Sequence, residues 1–402
     1  MQLGHEHEIE GNLFDIEFTP NRGDCLSVNG LLRDLSVFYT IEKNQEIYSG
    51  EIEELQLDFE NLSPDACPKI TFLKLEIDKN PNKYTEYLEN YFKDLNLNKN
   101  NFFTDISNYL SYETGQPTHC YDSTKVNGNL VFNELDTNEE FETLLDKKIN
   151  LTEKNSVFLL NNEVINLAGV VGGKNTSCSS KTMSVLVECA FFKPEVIMGK
   201  SLKYDIQSEA SHKFERYVDP NCHDMVIRRF IKIVSDHTNI KNISVCSHVF
   251  EQNEIHKIPV NVDKINKILG TNINKDQYSN YLTKLGFDIS KDQISIPTFR
   301  SDIKNQNDLA EEIARILGYD NISTDELTIP KAQISNKSDI ENKLRFFLLD
   351  QGFYEVINSP FVNNSSENSI KIDNPLDSNK EHMRTNIIAV SYTHLTLPTN
   401  GT

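Results

Sequence analysis

The stretch 108-NYLSYETGQPTHCYD-122 places a single histidine, His119, two residues after a proline. Pro117 fixes its own φ and steers Gln116 before it away from the helical region. The segment therefore reads as stiff and poorly helical, an arm that presents one imidazole. That imidazole is either a structural group hydrogen-bonded within a turn or a group aimed at a ligand. Local spacing makes no nucleophile–base pair, because Cys120 points to the other side of an extended segment.

Working outward, the chain alternates strands and helices without the strict βαβ rhythm of a parallel sheet. "ITFLKLEI" at 70–77 alternates as a strand and "TEYLENYFKDLN" at 85–96 is helical. "NSVFLLNNEVINLAGVVGG" reads as a hairpin turning at Asn161-Asn162 and ending in a glycine pair. "MSVLVECAFF" is a buried-looking strand, and "DPNCHDMVIRRFIKIVSDH" an amphipathic helix opened by Asp219-Pro220. The expectation is a multidomain α+β protein: a mixed-sheet domain over 63–250, then a small helix-rich α+β domain over 251–330. In the latter, Asn274 caps a helix closed by Gly286, and a second helix closes at Gly318. Before the larger domain, Phe14, Ile16 and Phe18 alternate as a strand, Asp24 is the expected N-cap of the next helix, and residues 41–62 read as an acidic linker.

Composition sets outer limits. The chain has 402 residues, a formal charge of -20 and 7 cysteines. Its pI of about 5.0 argues against a surface that grips nucleic acid everywhere, while leaving room for a local basic strip or a basic partner. The cysteines form no CxxC pair and no zinc-like cluster, which fits a reducing cytoplasm. No apolar run is long enough to span a bilayer.

Three further constellations carry chemistry. "AGVVGG", Ala168 to Gly173, permits positive φ and close approach of a ligand to the backbone. It lacks the strand–GxGxxG–helix setting of a dinucleotide site, so nucleotide binding is rejected there. Glu188 sits inside "VLVECAFF". If that strand is buried on both faces, the carboxylate must be paired, hydrogen-bonded or protonated, and a ligand hydroxyl would serve; if it is not, alternation carries Glu188 to water. Finally, Asp308, Glu311 and Glu312 share one helix face with Asp302 just upstream. Four carboxylates suit Mg²⁺, whereas Asp308 with Glu311 also suits a capping box.

Seven segments in order carry a resemblance: "EFTPNRGDCLSVNGLLRDL", "NYLSYETGQPTHCYD", "LAGVVGG", "VECAFFKPEVI", "SEASHKFERYVDP", "PTFRSDIKNQNDLAEEIARILGYDNI" and "DNPLDSNKEHMRT". Together they resemble the β subunit of bacterial phenylalanyl-tRNA synthetase. The resemblance implies that residues 63–250 are an editing domain hydrolysing misacylated Tyr-tRNA(Phe). It implies catalytic roles for His119, Asn108 and Glu188. It implies an editing pocket completed by Ser107, Ala168, Gly169, Gly172, Ser208 and Ala210, with Ser107 and Ser208 standing where the family often has threonine. It further implies Mg²⁺, shared with an α subunit, on Asp302, Asp308, Glu311 and Glu312. The expected partners are that α subunit, in an α2β2 tetramer, and tRNA(Phe), in the cytoplasm and with no membrane. ATP would be used by the holoenzyme and not bound by this chain alone. By the same resemblance, 1–60 is the remnant of an N-terminal domain with its linker, 331–388 an incomplete catalytic-like domain, and 389–402 a non-native tail, so the chain is expected to be truncated at both ends. The alternative is a structural, tRNA-docking subunit with a decayed editing site.

Overall fold

The computed structural model describes residues 5–41, 45–324, 336–357, 359–363 and 368–386. It divides into two compact units, 1–324 and 325–402.

The first unit begins with a hairpin of β1 (Glu6–Glu10) and β2 (Leu13–Glu17), followed by helix α1 (Val28–Leu35). The N-cap of α1 is Ser27, whose side chain accepts from the Gly30 amide. Asp24, the expected cap, is instead held by Arg22 and Arg33. Residues 41–62, read above as a linker, contribute β3 (Glu53–Glu54) and β4 (Phe59–Asn61). Strands of two and three residues are too short to show a period.

Next come β5 (Lys69–Ile77), α2 (Glu86–Asp94), α3 (Phe102–Thr114), β6 (His119–Asp122), β7 (Leu130–Glu142), β8 (Lys148–Leu160), β9 (Glu163–Leu167), β10 (Val171–Gly172) and β11 (Ser184–Phe191). They are followed by the short helices α4 (Pro194–Ile197), α5 (Lys200–Lys203) and α6 (Glu209–Phe214), then α7 (His223–His237) and β12 (Ile240–Val249). Two five-stranded mixed sheets result, ordered β3-β12-β5-β11-β6 and β10-β9-β8-β7-β4. In each, one short edge strand pairs in parallel and the rest are antiparallel.

Helix α3 corrects the reading of residues 108–114 as poorly helical. Phe103, Ile106 and Leu110 recur at helical spacing and are buried, and the helix ends at Gly115 in the left-handed region. Pro117 therefore marks where the chain turns from helix into strand β6.

The first sheet has two buried faces, and this decides where the chemistry sits. Leu73, Leu75, Val185 and Val187 pack under α3 and α7 with Phe103, Ile106 and Phe230. Ile70, Phe72, Tyr121, Leu186 and Ala190 face the second sheet and meet Phe132, Phe158 and Leu167. Glu188 shares the parity of Leu186 and Ala190, so it lies between the two sheets. Alternation does not carry it to water; it is 4% exposed.

The remaining elements of the first unit are β13 (Lys257–Pro259), α8 (Val262–Leu269), α9 (Lys275–Lys284), β14 (Asp288–Ile289), β15 (Gln293–Ser295) and α10 (Gln306–Leu317). A three-stranded sheet packs with these helices around Ile265, Tyr278, Leu282 and Ile313. Asn274 caps α9, as expected, and the structure adds a capping box with Gln277.

The second unit contains α11 (Asn336–Asp350) and the two-stranded pair β16 (Phe361–Val362) and β17 (His382–Met383). On α11, Leu344, Phe346 and Phe347 are exposed. The tail expected over 389–402 lies outside the described residues.

Candidate active site

Strands β6 and β11 run antiparallel with His119 directly opposite Glu188. Tyr121, two residues on, shares that face, and its ring meets the His119 imidazole edge-on with centroids 4.4 Å apart. The Tyr121 hydroxyl donates to Glu188 Oε2 at 2.7 Å. From the second sheet, Asn166 Nδ2 donates to Tyr121 Oη at 2.7 Å and reaches Glu188 Oε2 at 3.3 Å. The partner that Glu188 requires on burial is thus supplied by the chain itself. All the hydrogen bonds to this carboxyl fall on Oε2; Oε1 accepts none among the described residues.

Burial drives both titratable groups toward neutrality. It pushes the Glu188 carboxyl up to about 8, against the opposing pull of Tyr121 and Asn166. It pushes the His119 imidazole down to about 4. His119 Nε2 is shut from solvent and has no hydrogen-bond partner. At neutral pH the site therefore presents an uncharged imidazole beside a largely protonated carboxyl. A neutral carboxyl offers both a donor and an acceptor, as a phenolic hydroxyl does.

The glycine corner closes over the imidazole. Gly169 adopts φ +69, and a Cβ on Gly172 would stand 2.2 Å from His119 Cε1. Ala168 is buried beneath the corner. Ser208 caps α6 by accepting from the Ser211 amide and donates to the Val170 carbonyl at 2.7 Å, which ties helix to corner. Ala210, the second residue of that helix, packs against the inter-sheet core.

Ser107 and Asn108 separate. The Ser107 hydroxyl lies 2.7 Å from both the carbonyl and the hydroxyl of Thr118, latching α3 to the residue before His119. Asn108, the next residue on the helix and so turned by about 100°, is exposed and makes no side-chain hydrogen bond among the described residues. The structure gathers His119, Glu188 and Gly172 and leaves Asn108 on the outer face. Tyr121 and Asn166 were missed by sequence reasoning. Tyr121 was signalled by sharing the parity of His119, and Asn166 by being a lone polar residue among Ile165, Leu167 and Ala168.

The four expected Mg²⁺ ligands are engaged elsewhere. Asp302 takes both its oxygens to Arg300 at 2.8 Å. Asp308 accepts from the Lys304 and Asn305 amides, completing a capping box whose N-cap is Asn305. Glu312 is buried between Arg300 and Arg315, each at 2.7 Å. Burial alone would raise the Glu312 carboxyl, but those guanidiniums and Arg22 pull it down to about 2. Only Glu311 is exposed and unengaged among the described residues. This donor set does not fit a divalent ion as arranged here, because three of its members already neutralise or cap other groups.

An open cleft of about 820 Å³ lies elsewhere, lined by Phe14, Phe18, Leu31, Tyr112, Ser208 and Lys213. His119 and Glu188 do not line it. His119, Tyr121 and Glu188 meet instead between the two sheets.

Family models match this architecture piece by piece. A B3/4 domain matches residues 66–239, a tRNA synthetase B5 domain 258–319, and a phenylalanyl tRNA synthetase beta chain CLM domain 324–393. The Phenylalanine--tRNA ligase beta subunit of Ehrlichia canis is 30% identical over 400 residues, covering 94% of this chain and 49% of that protein. The chain belongs to the phenylalanyl-tRNA synthetase beta-subunit family. The beta subunit of Francisella tularensis is 28% identical, covering 94% of this chain and 50% of its own length. The chain thus spans about half the length of the curated beta subunits it matches. A solved N-terminal fragment of the Pyrococcus horikoshii beta subunit shares 13% identity over 79% of this chain and 92% of its own, with a TM-score of 0.42, a likeness that adds nothing to the assignment. In this synthetase-family chain the B3/4 match contains every residue of the inter-sheet cluster, and the B5 match contains Glu312 with Arg300 and Arg315. No helix among the described residues is long and apolar enough to cross a membrane.

Proposed function

We propose that this chain is the editing part of a phenylalanyl-tRNA synthetase β subunit, hydrolysing the ester of misacylated Tyr-tRNA(Phe). The observation that carries the reading is the buried, uncharged Glu188 carboxyl, with one oxygen unengaged, directly opposite a half-buried imidazole whose Nε2 is shut from solvent and lacks a partner. A site that hydrogen-bonds a hydroxyl discriminates strongly against the analogue without one, because its own polar group is then left unpaired. Glu188 fits as the reader of the tyrosyl hydroxyl.

His119 fits as the group that orients the attacking water. An imidazole held near 4 is a weak proton acceptor at pH 7. Its contribution is therefore to accept a hydrogen bond from the water and aim its oxygen. The water oxygen bonds to the ester carbonyl carbon, the bond from that carbon to the ribose oxygen breaks, and a proton ends on the released ribose hydroxyl. The glycine corner shapes the space beside the imidazole, and Ala210 leaves room for the ring.

In the same reading the chain works in the cytoplasm with an α subunit, in an α2β2 tetramer. That assembly charges tRNA(Phe) with phenylalanine at the expense of ATP bound outside this chain. The names of its relatives, each a beta subunit of a phenylalanine–tRNA ligase, support the ligase and the partner subunit in this reading. The test is deacylation of Tyr-tRNA(Phe), which His119→Ala should slow by on the order of 10²-fold. A second reading, a structural and tRNA-docking subunit without editing, is favoured by one fact: Glu188 Oε2 is already satisfied within the chain. It predicts no deacylation by the unaltered protein.

A further inference from the structure

The hydrogen bonds around Glu188 contain a residue that none of the expected roles uses. Tyr121 is fully buried, lies between His119 and Glu188, and touches both. Its ring stands edge-on to the imidazole, and its hydroxyl is the shortest contact the Glu188 carboxyl makes. Asn166, from the opposite sheet, holds that hydroxyl in place at 2.7 Å.

We propose that Tyr121 is the positioning residue that sets specificity: with Asn166 behind it, it fixes Glu188 through Oε2 and so leaves Oε1 to meet a phenolic hydroxyl on the ligand. The inference rests on the editing reading above and goes beyond it by naming what makes Glu188 selective.

A carboxyl on a two-carbon stem has rotamer freedom, and selectivity requires that its free oxygen be in one place. Two donors converging on a single oxygen remove that freedom. They also leave the second oxygen unengaged within the chain, since Oε1 has no partner among the described residues. The edge-on contact does the same for His119, whose ring is confined by Tyr121 on one side and Gly172 on another. One side chain thereby sets the spacing between the group that reads the ring substituent and the group that orients water. The opposite possibility is specific as well. If the Tyr121 hydroxyl occupied the place that the ligand's hydroxyl takes, removing it would improve selectivity.

Tyr121→Phe separates these. It deletes one oxygen and keeps the ring against His119. In the assembled synthetase, kcat and KM for hydrolysis of Tyr-tRNA(Phe) and Phe-tRNA(Phe) are measured for the unaltered protein, Tyr121→Phe and Asn166→Ala. Positioning predicts that the Tyr:Phe ratio of kcat/KM falls at least about tenfold in Tyr121→Phe, mostly through KM for the tyrosyl ester, with the phenylalanyl reaction little changed. Asn166→Ala should shift the ratio in the same direction by less. A purely structural role would lower both reactions together and leave the ratio alone. An unchanged ratio, or a raised one, overturns the proposal while leaving the editing reading intact. Equilibrium binding of non-hydrolysable 3′-tyrosylamino and 3′-phenylalanylamino adenosines supplies a readout independent of turnover. If the unaltered protein hydrolyses neither ester and binds both analogues equally, the editing reading itself fails. If it hydrolyses neither yet prefers the tyrosyl analogue, and Tyr121→Phe removes that preference, positioning by Tyr121 stands without hydrolysis.

Discussion

Gly172 lies so close to the His119 imidazole that a Cβ there would stand 2.2 Å from Cε1 and 2.6 Å from Nε2. Gly172 does not adopt a positive φ, so what matters here is the missing side chain and not backbone freedom. Gly172→Ala would have to push the imidazole aside. Overpacking of this kind costs roughly 1–3 kcal/mol. The expected outcome is a fold that survives with modestly lower stability while Tyr-tRNA(Phe) deacylation falls at least as far as in His119→Ala. Deacylation at the unaltered rate in a folded Gly172→Ala protein would show that the imidazole has no fixed position to defend.

The Glu188 carboxyl and the His119 imidazole make opposed contributions to stability against pH. Glu188 titrates near 4.5 when unfolded and near 8 when folded. Across that window the folded state binds more protons, so its contribution falls as pH rises. His119 titrates near 6.5 unfolded and near 4 folded. Across that window the unfolded state binds more protons, so its contribution rises with pH. The two slopes oppose each other below about 6.5 and leave Glu188 alone above it. Glu188→Gln should therefore gain stability relative to the unaltered protein as pH goes from 4.5 to 8, by up to on the order of 4 kcal/mol. Chemical denaturation at several pH values checks this, and a flat difference would mean that Glu188 is charged in the fold.

How much of this was readable in advance depends on how far apart the partners lie in the chain. The Asn161-Asn162 turn was legible because both residues must take positive φ, and both do. Glu188 was legible as a carboxylate in apolar company, but which face of its strand was wet was not. That is decided by the second sheet, whose strands β7 to β9 precede it by tens of residues. Helix α3 was missed because Gly115 and Pro117 drew the reading toward a turn, when they mark the helix's end. The carboxylate quartet shows the limit most plainly. Asp308 belongs to a capping box, but as its third helical residue: the N-cap is Asn305, and Glu311 takes no part. Glu312 belongs to a cluster in which Arg315 also reaches Asp34, 281 positions away. No local spacing contains that information.

That cluster predicts the response to charge removal. Glu312 is sandwiched by Arg300 and Arg315, and Asp34 by Arg22 and Arg315. Removing one member of a buried ionic group leaves the others uncompensated, at about 3–5 kcal/mol. Glu312→Ala should thus be among the most destabilising single changes in the B5 region. Because the folded carboxyl titrates near 2 and the free one near 4.5, its contribution is complete above 4.5 and is lost as pH falls toward 2. Adding Mg²⁺ should leave the melting temperature unchanged. A Mg²⁺-dependent rise that disappears in Glu312→Gln would show instead that these carboxylates exchange their arginines for a cation.

Ser208 joins the start of α6 to the glycine corner, and its two hydrogen bonds have separable effects. Its oxygen accepts from the Ser211 amide at 3.1 Å, which is an N-cap worth about 1 kcal/mol to helix stability. Its hydroxyl proton goes to the Val170 carbonyl at 2.7 Å, inside the loop between Gly169 and Gly172. Asp keeps the first interaction, since a carboxylate accepts well at an N-cap, but has no proton for the second. Thr keeps both. Ser208→Thr should therefore match the unaltered protein in melting temperature and deacylation rate. Ser208→Asp should keep its helix cap yet place a carboxylate against the Val170 carbonyl, loosening the corner that confines His119. Its deacylation rate should fall at least about tenfold, a larger effect than the loss of one neutral hydrogen bond, roughly 1 kcal/mol, would produce by itself. Ser208→Ala loses both interactions, so it should show the stability loss and the rate loss together. If Ser208→Asp deacylates Tyr-tRNA(Phe) as fast as Ser208→Thr, the bond to Val170 holds nothing that the reaction needs, and Ser208 is a helix cap alone.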